Sequence, residues 1–140
     1  MLGNGGGGQV PKVPLIAVVD DDDSMRESLR GLLRSVRLAV EVFASAEEFL
    51  HSHHLLETEC VILDVRMPGM GGFELQGRLA RSHPEMRVIF ITAHGDEQLR
   101  SRALQGGALD YLLKPFSEEA LLQAVHTALG PDEARKEGAT

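Results

Sequence analysis

The chain has 140 residues, 43% of them hydrophobic, and a formal charge of −7 at neutral pH. That length suits one domain with a sizeable core, and the acidic balance argues against direct nucleic-acid binding by this segment. Cys60 is the only cysteine, which excludes an internal disulfide, and the longest apolar stretch, Leu15 to Val19, is far too short to cross a bilayer.

Residues 1–12 include the run Gly5 to Gly8 and are expected to be a disordered leader. They lack the basic flank and apolar centre of a secretory signal, so the cytoplasm is the expected location, with no membrane partner. Leu15 to Asp20 is a short β-branched run, read as a buried strand. Met25, Leu29, Leu32, Leu33 and Val36 recur at helical spacing, with Asp23 or Ser24 as the expected cap. Ala39 to Phe43 reads as a second strand. Ser45-Ala46-Glu47-Glu48 is a capping box that opens a helix expected to reach about His54. Cys60 to Asp64 is a third strand, followed by the tight loop Met67 to Gly72 and a helix over Phe73–Ser82. Val88 to Thr92 is a fourth strand. A helix over Glu97–Gln105 is expected to stop at Gly106 in a left-handed cap. Ala108 to Lys114 holds a fifth strand, and Ser117 to Leu129 forms the last helix. The folded unit is thus expected over 13–129, with 130–140 as a linker or tail that begins at Gly130-Pro131.

Five strands alternating with five helices imply an α/β domain with a parallel sheet covered on both faces, joined by right-handed crossovers. Open sheets of this kind bind ligands beyond the carboxyl ends of their strands. Four of the runs end there on a polar residue: Asp20-Asp21, Asp64, Thr92 and Lys114. Asp20 to Asp23 alone could be a solvated charge run that caps the next helix, and Asp22 and Asp23 fit that role. Asp20 and Asp21, however, follow a buried strand directly. Like charges placed beside Asp64 are costly unless a cation offsets them.

A carboxylate such as Asp64 can attack a phosphoryl group and form a mixed anhydride. That transfer needs in-line positioning and charge neutralisation more than proton chemistry. Mg²⁺ suits the acidic set, because it takes one or two carboxylates together with water and phosphate oxygens. Thr92, before the small Ala93, suits a hydroxyl that bonds a phosphoryl oxygen. Lys114, one of three lysines in the chain, is a compact charge able to pair with phosphate or with Asp64.

The segments VVDDDDSMRESL, VILDVRMPGMGGFEL, VIFITAHGD and GALDYLLKPF resemble the four signature blocks of response-regulator receiver domains. LDVRMPGMGG and ITAHGD are most similar to the FixJ-like subgroup, which usually precedes a helix-turn-helix DNA-binding domain. The resemblance implies a flavodoxin-like (βα)5 fold with strand order 2-1-3-4-5. It implies Asp64 as the phosphoacceptor, Asp21 as a direct Mg²⁺ ligand, Asp20 as its neighbour acting through water, and the Arg66 backbone carbonyl as a third protein ligand. It implies Thr92 and Lys114 as the phosphate-binding pair, Tyr111 as the aromatic switch, and a cis Lys114–Pro115 bond. The implied partner is a sensor histidine kinase.

The resemblance implies a signalling switch of two-component systems that catalyses only its own phosphorylation and dephosphorylation. Thr92 would move toward the phosphoryl group and Tyr111 would fill the space vacated, reshaping the face built from the fourth helix, fifth strand and fifth helix. That face is expected to pair two copies, with Arg100, Arg102, Glu118 and Glu119 available for charge pairs. Arg66 and His94, each two residues past a key position, are expected to tune the lifetime of the acyl phosphate. His51, His53 and His54 lack the cysteine or carboxylate frame of a metal site and read as solvated. Cys60 reads as a small buried hydrophobe, and Met67 and Met70 as loop packing. Among rival readings, an aspartyl-phosphate hydrolase usually needs a second acid where Arg66 stands. A dinucleotide-binding domain needs a glycine fingerprint after the first strand, and none is there. A phosphorylation-independent scaffold on the same fold is a third rival, opposed by the intact acidic set.

Overall fold

A computed structural model describes residues 13–130, and the expected leader and most of the expected tail lie outside them. The strands are β1 (Leu15–Val19), β2 (Ala39–Phe43), β3 (Thr58–Leu63), β4 (Arg87–Thr92) and β5 (Asp110–Leu113). The helices are α1 (Asp23–Ser35), α2 (Ala46–Leu50), α3 (Gly72–Ser82), α4 (Glu97–Gln105) and α5 (Glu118–Leu129), with a 3-10 turn at Leu55–Glu57. All strand pairs are parallel, in the order β2-β1-β3-β4-β5. This is the flavodoxin-like 2-1-3-4-5 arrangement. No helix among the described residues is long and apolar enough to cross a membrane.

Side chains alternate across the sheet, so each strand feeds two cores. Ile16, Val18, Ile62, Ile89 and Ile91 face α1 and α5, where they meet Leu29, Leu33, Leu121 and Val125. Ala17, Val19, Val61, Leu63 and Phe90 face the other way, toward Phe49 of α2, Leu75 and Leu79 of α3, and Ala103 of α4. Burial on both faces explains why the central strands read as continuous apolar runs. Cys60 is fully buried in the first of these layers, and burial pushes its thiol up to about 12, so it behaves as a hydrophobe.

Several boundaries differ from the sequence expectations. The cap of α1 is Asp22, whose carboxylate accepts from the amides of Ser24 and Met25. The cap of α2 is Ser45, as the capping box predicts, but Glu48 reaches the Ala44 amide and the helix ends at Leu50 rather than near His54. Gly106 caps α4 with φ −79°, and the left-handed residue is Gly107 at φ +102°. The strand β5 covers only Asp110–Leu113.

Candidate functional site

The residues after the strand tips are held by the sheet itself. The Asp20 amide donates to Phe43 O at 3.1 Å, the Asp64 amide to Val19 O at 3.3 Å, and the Lys114 amide to Thr92 O at 2.8 Å. Each bond extends a parallel ladder by one residue, so side chains far apart in sequence start from fixed, neighbouring backbone positions. The register pairs Val19 with Leu63, which sets Asp20 beside Asp64.

Asp20, Asp21 and Asp64 each present a carboxylate oxygen, and these oxygens lie within 4.8 Å of one another. Asp20 and Asp64 are buried while Asp21 is exposed, so the cluster is open to solvent on one side. Lys114 Nζ donates to Asp20 Oδ2 at 3.0 Å and to Asp64 Oδ2 at 3.1 Å. Burial raises the Asp20 carboxyl above its ordinary pKa, against the lowering pull of the Asp22 amide and of Lys114. Burial depresses the Lys114 ammonium, but its hydrogen bonds to both aspartates outweigh this and raise it. One ammonium thus serves two of the three carboxylates. Asp64 Oδ1 is buried and has no hydrogen-bond partner among the described residues. An unpartnered carboxylate oxygen in a triply acidic cluster fits a hard divalent cation with oxygen ligands.

Thr92 is fully buried, and its Oγ1 accepts from the His94 amide at 3.2 Å. Tyr111 is inward: its ring is buried, its hydroxyl donates to His94 O at 2.7 Å, and its own carbonyl accepts from Arg100 Nη1 at 3.0 Å. These three bonds link the tip of β4, the loop after it, β5 and α4. The Tyr111 ring also contacts Phe90, and burial together with the Asp64 and Asp96 charges raises its hydroxyl pKa. Arg66 is exposed in the loop directly after Asp64, and His94 is half-buried. The Lys114–Pro115 bond is cis.

The family model described as the response regulator receiver domain matches residues 16–126. The chain belongs to this family. It is 46% identical over 135 residues to nodulation protein W of Bradyrhizobium diazoefficiens, covering 96% of this chain and 60% of that protein. It is 42% identical to the transcriptional regulatory protein FixJ of Azorhizobium caulinodans, covering 93% of this chain and 63% of that protein. Among solved structures, the response regulator StyR is 46% identical with a TM-score of 0.74, covering 89% of this chain and 61% of that one. The BeF3-activated DrrB receiver domain is 32% identical with a TM-score of 0.78, covering 85% and 99%. The chain therefore spans less than two thirds of the curated relatives it matches, which include transcriptional regulators. Receiver domains of this family serve two-component systems and typically bind Mg²⁺ at an acidic pocket such as this one.

Three supporting residues escaped the sequence reading. Arg26 of α1 donates from Nη1 to Asp20 O at 2.6 Å and pairs with Asp23, so it braces the turn that carries the acids. Gly72 opens α3 where any Cβ would lie 2.2 Å from Asp64 O. Glu47 of α2 accepts from the Met70 amide at 3.0 Å. The spacing of Arg26 one and a half turns past Asp20, and the double glycine after Met70, are the only signals the sequence gives for these. Three histidines are engaged locally: His54 lies between Glu57 and Glu41 with its ring tilted against that of His53, and His51 Nδ1 contacts Glu47 O.

Proposed function

We propose that this receiver is a phosphorylation-activated switch whose phosphoacceptor is Asp64. A sensor histidine kinase presents a phosphohistidine, an Asp64 carboxylate oxygen attacks the phosphorus, the P–N bond breaks, and the imidazole leaves. Asp20, Asp21, Asp64 and the Arg66 carbonyl would hold Mg²⁺, which supplies charge neutralisation at the phosphoryl oxygens. Lys114 holds the Asp64 carboxylate in place and then pairs with the new phosphoryl charge. Thr92 Oγ1 turns from His94 toward a phosphoryl oxygen. The observation that supports this best is the convergence of three carboxylates and one ammonium at Asp64, whose Oδ1 has no hydrogen-bond partner among the described residues.

The output follows from the same bonds. Tyr111 is buried here with its hydroxyl on His94 O, and its ring fills the space that Thr92 vacates. Thr92 releases the His94 amide, and the loop that anchors the Tyr111 hydroxyl resets α4 and β5. To turn a mostly inactive population into a mostly active one, phosphorylation must favour the active state by roughly 5 kcal/mol. The resulting face controls homodimerisation or an output domain, in keeping with the transcriptional regulators among the relatives, and the setting is cytoplasmic. The protein turns over no other substrate, and this segment does not contact nucleic acid. Labelling with acetyl phosphate and Mg²⁺, read by intact mass, should add one phosphoryl group to the wild type and none to Asp64→Asn. Beryllofluoride with Mg²⁺ should shift the oligomeric state. Failure of the wild type to label would favour a phosphorylation-independent scaffold.

A further inference from the structure

The loop between Asp64 and α3 is tied down at three points. The side chains of Val65, Met67 and Met70 are buried in the core on the α2–α4 side. The Gly72 amide donates back to Val65 O at 2.9 Å. The third tie comes from a different element: the Met70 amide donates to Glu47 Oε2 at 3.0 Å across 23 residues of sequence. Glu47 is well placed to hold still, because α2 is pinned by the fully buried Ala46 and Phe49 on either side of it. The loop is shaped to admit this carboxylate. Gly69 has φ +78°, and a Cβ there would lie 2.7 Å from Glu47 Oε2. The Glu47 carboxyl is also held below the usual carboxylate range by its own amide and that of Met70, which favours the ionised acceptor.

We infer that Glu47 is a positioning residue for the divalent-cation site, acting through the Met70 amide on the loop that carries the Arg66 carbonyl. This rests on the reading of Asp20, Asp21, Asp64 and that carbonyl as the ligands. Backbone ligands have no side-chain rotamer to adjust, so the aim of a carbonyl is set by whatever fixes its loop. Buried methionines fix the loop's depth but are adaptable in direction. A charge-assisted hydrogen bond is directional and adds what they lack.

The test is Mg²⁺ titration calorimetry on the whole chain, paired with thermal melts and hydrogen exchange at the Met70 amide. Supporting partners of metal ligands are worth about 10–100-fold in affinity, and at this remove Glu47→Ala should weaken Mg²⁺ binding by about tenfold, at the low end of that range. It should also speed exchange at Met70. Glu47→Gln should restore most of the affinity, because its amide oxygen still accepts from Met70. Gly69→Ala should weaken binding like Glu47→Ala, since the new methyl group displaces the Glu47 carboxylate, and it decides the matter should Glu47→Ala fail to fold. Wild-type affinity in a folded Glu47→Ala, or in Gly69→Ala, overturns the inference even where the melting temperature falls. Equal losses in Glu47→Ala and Glu47→Gln also overturn it, because charge and not the hydrogen bond would be responsible. Those results leave the cation site standing. Absence of Mg²⁺ binding by the wild type overturns the site and the inference together.

Discussion

Asp20→Asn should make the cation-free protein more stable and the Mg²⁺-bound protein less stable, so the two melting orders cross. Asp20 is 3% exposed, and its carboxyl pKa is raised from 3.8, first by burial and then in part by the Asp64 charge. A carboxyl whose folded pKa lies above its unfolded value costs stability at neutral pH, and the cost disappears as pH falls through the folded value or when the charge is deleted. Two carboxylates at the 4.8 Å limit of this cluster repel by roughly 3.5 kcal/mol at an effective dielectric of about 20. By the same measure Lys114, 3.0 Å from Asp20, attracts it by roughly 5.5 kcal/mol, and the raised pKa means that burial costs the ionised Asp20 more than the difference. The net gain from Asp20→Asn is then on the order of 1 kcal/mol, about 4 °C for a domain of about 120 residues. Mg²⁺ at about a hundred times its dissociation constant should stabilise the wild type by ~2.7 kcal/mol, or about 10 °C. The variant, short of one acid in the cluster, should gain little. Melting both proteins by far-ultraviolet circular dichroism at neutral pH, with chelator and with Mg²⁺, decides the point. A variant that melts below the wild type in chelator would show that the Asp20–Lys114 pair outweighs the repulsion. Equal Mg²⁺ shifts in both would refute the role of Asp20 at the cation.

Lys114 gives a prediction at high pH. Its folded pKa is raised above 10.5, so the stability it contributes is fully present below that value and is lost as pH rises through the folded pKa. The melting temperature of the wild type should fall more steeply than that of Lys114→Met above pH 10.5, and parallel slopes would contradict the pairing. Replacing Arg66 or His94 should change the lifetime of the aspartyl phosphate while leaving Mg²⁺ affinity nearly intact. Decay rates identical to the wild type in both variants would remove them from the site. Gly72→Ala forces a methyl group to within 2.2 Å of Asp64 O and 2.9 Å of Leu63 Cδ1. Overpacking of this kind costs about 1–3 kcal/mol. The expected outcome is a melting temperature lower by about 4–12 °C together with slower acetyl-phosphate labelling.

The sheet was legible because its strands are buried on both sides and carry β-branched runs, and each tip is marked by a sudden change to a polar residue. Asp20, Asp64, Thr92 and Lys114 could therefore be assigned to one edge before any coordinate was known. Local ends were harder. Four consecutive acids offer four chemically similar caps, and it is the extended backbone of Asp22, with its carboxylate on the Ser24 and Met25 amides, that selects it for α1. The helix α2 stops without glycine or proline: the His51 and Ser52 amides close on Glu47 O and Phe49 O, and a separate 3-10 turn follows. Arg26 and Glu47 were invisible for another reason. Their partners are backbone groups of other elements, at Asp20 O and Met70 N, and no periodicity encodes where a long side chain ends.

Hydrogen bonds between elements also offer a route by which a signal would leave the domain. Thr92 Oγ1, the His94 amide and carbonyl, the Tyr111 hydroxyl and carbonyl, and Arg100 form a chain of three hydrogen bonds from the chemical centre to α4. A typical bond of this kind is worth about 0.5–1.5 kcal/mol net. No single one can supply the roughly 5 kcal/mol that a decisive switch requires, so the transition must exchange several at once, with charge-assisted bonds to the phosphoryl group among those gained. Arg100 is already committed to Tyr111 O, and Arg102 lies over the Phe73 ring at 4.2 Å. Neither is idle for pairing across a dimer, and surface ion pairs contribute only about 0–1 kcal/mol. Leu104 and Leu113, on α4 and β5, are 40% and 49% exposed. Covering such leucines stabilises by roughly 25 cal/mol per Å², without breaking a bond that holds the switch. For the proposed pairing of two copies, the apolar part of this face is therefore the stronger source of energy, while Arg100 serves first to connect α4 to the strand tips through Tyr111.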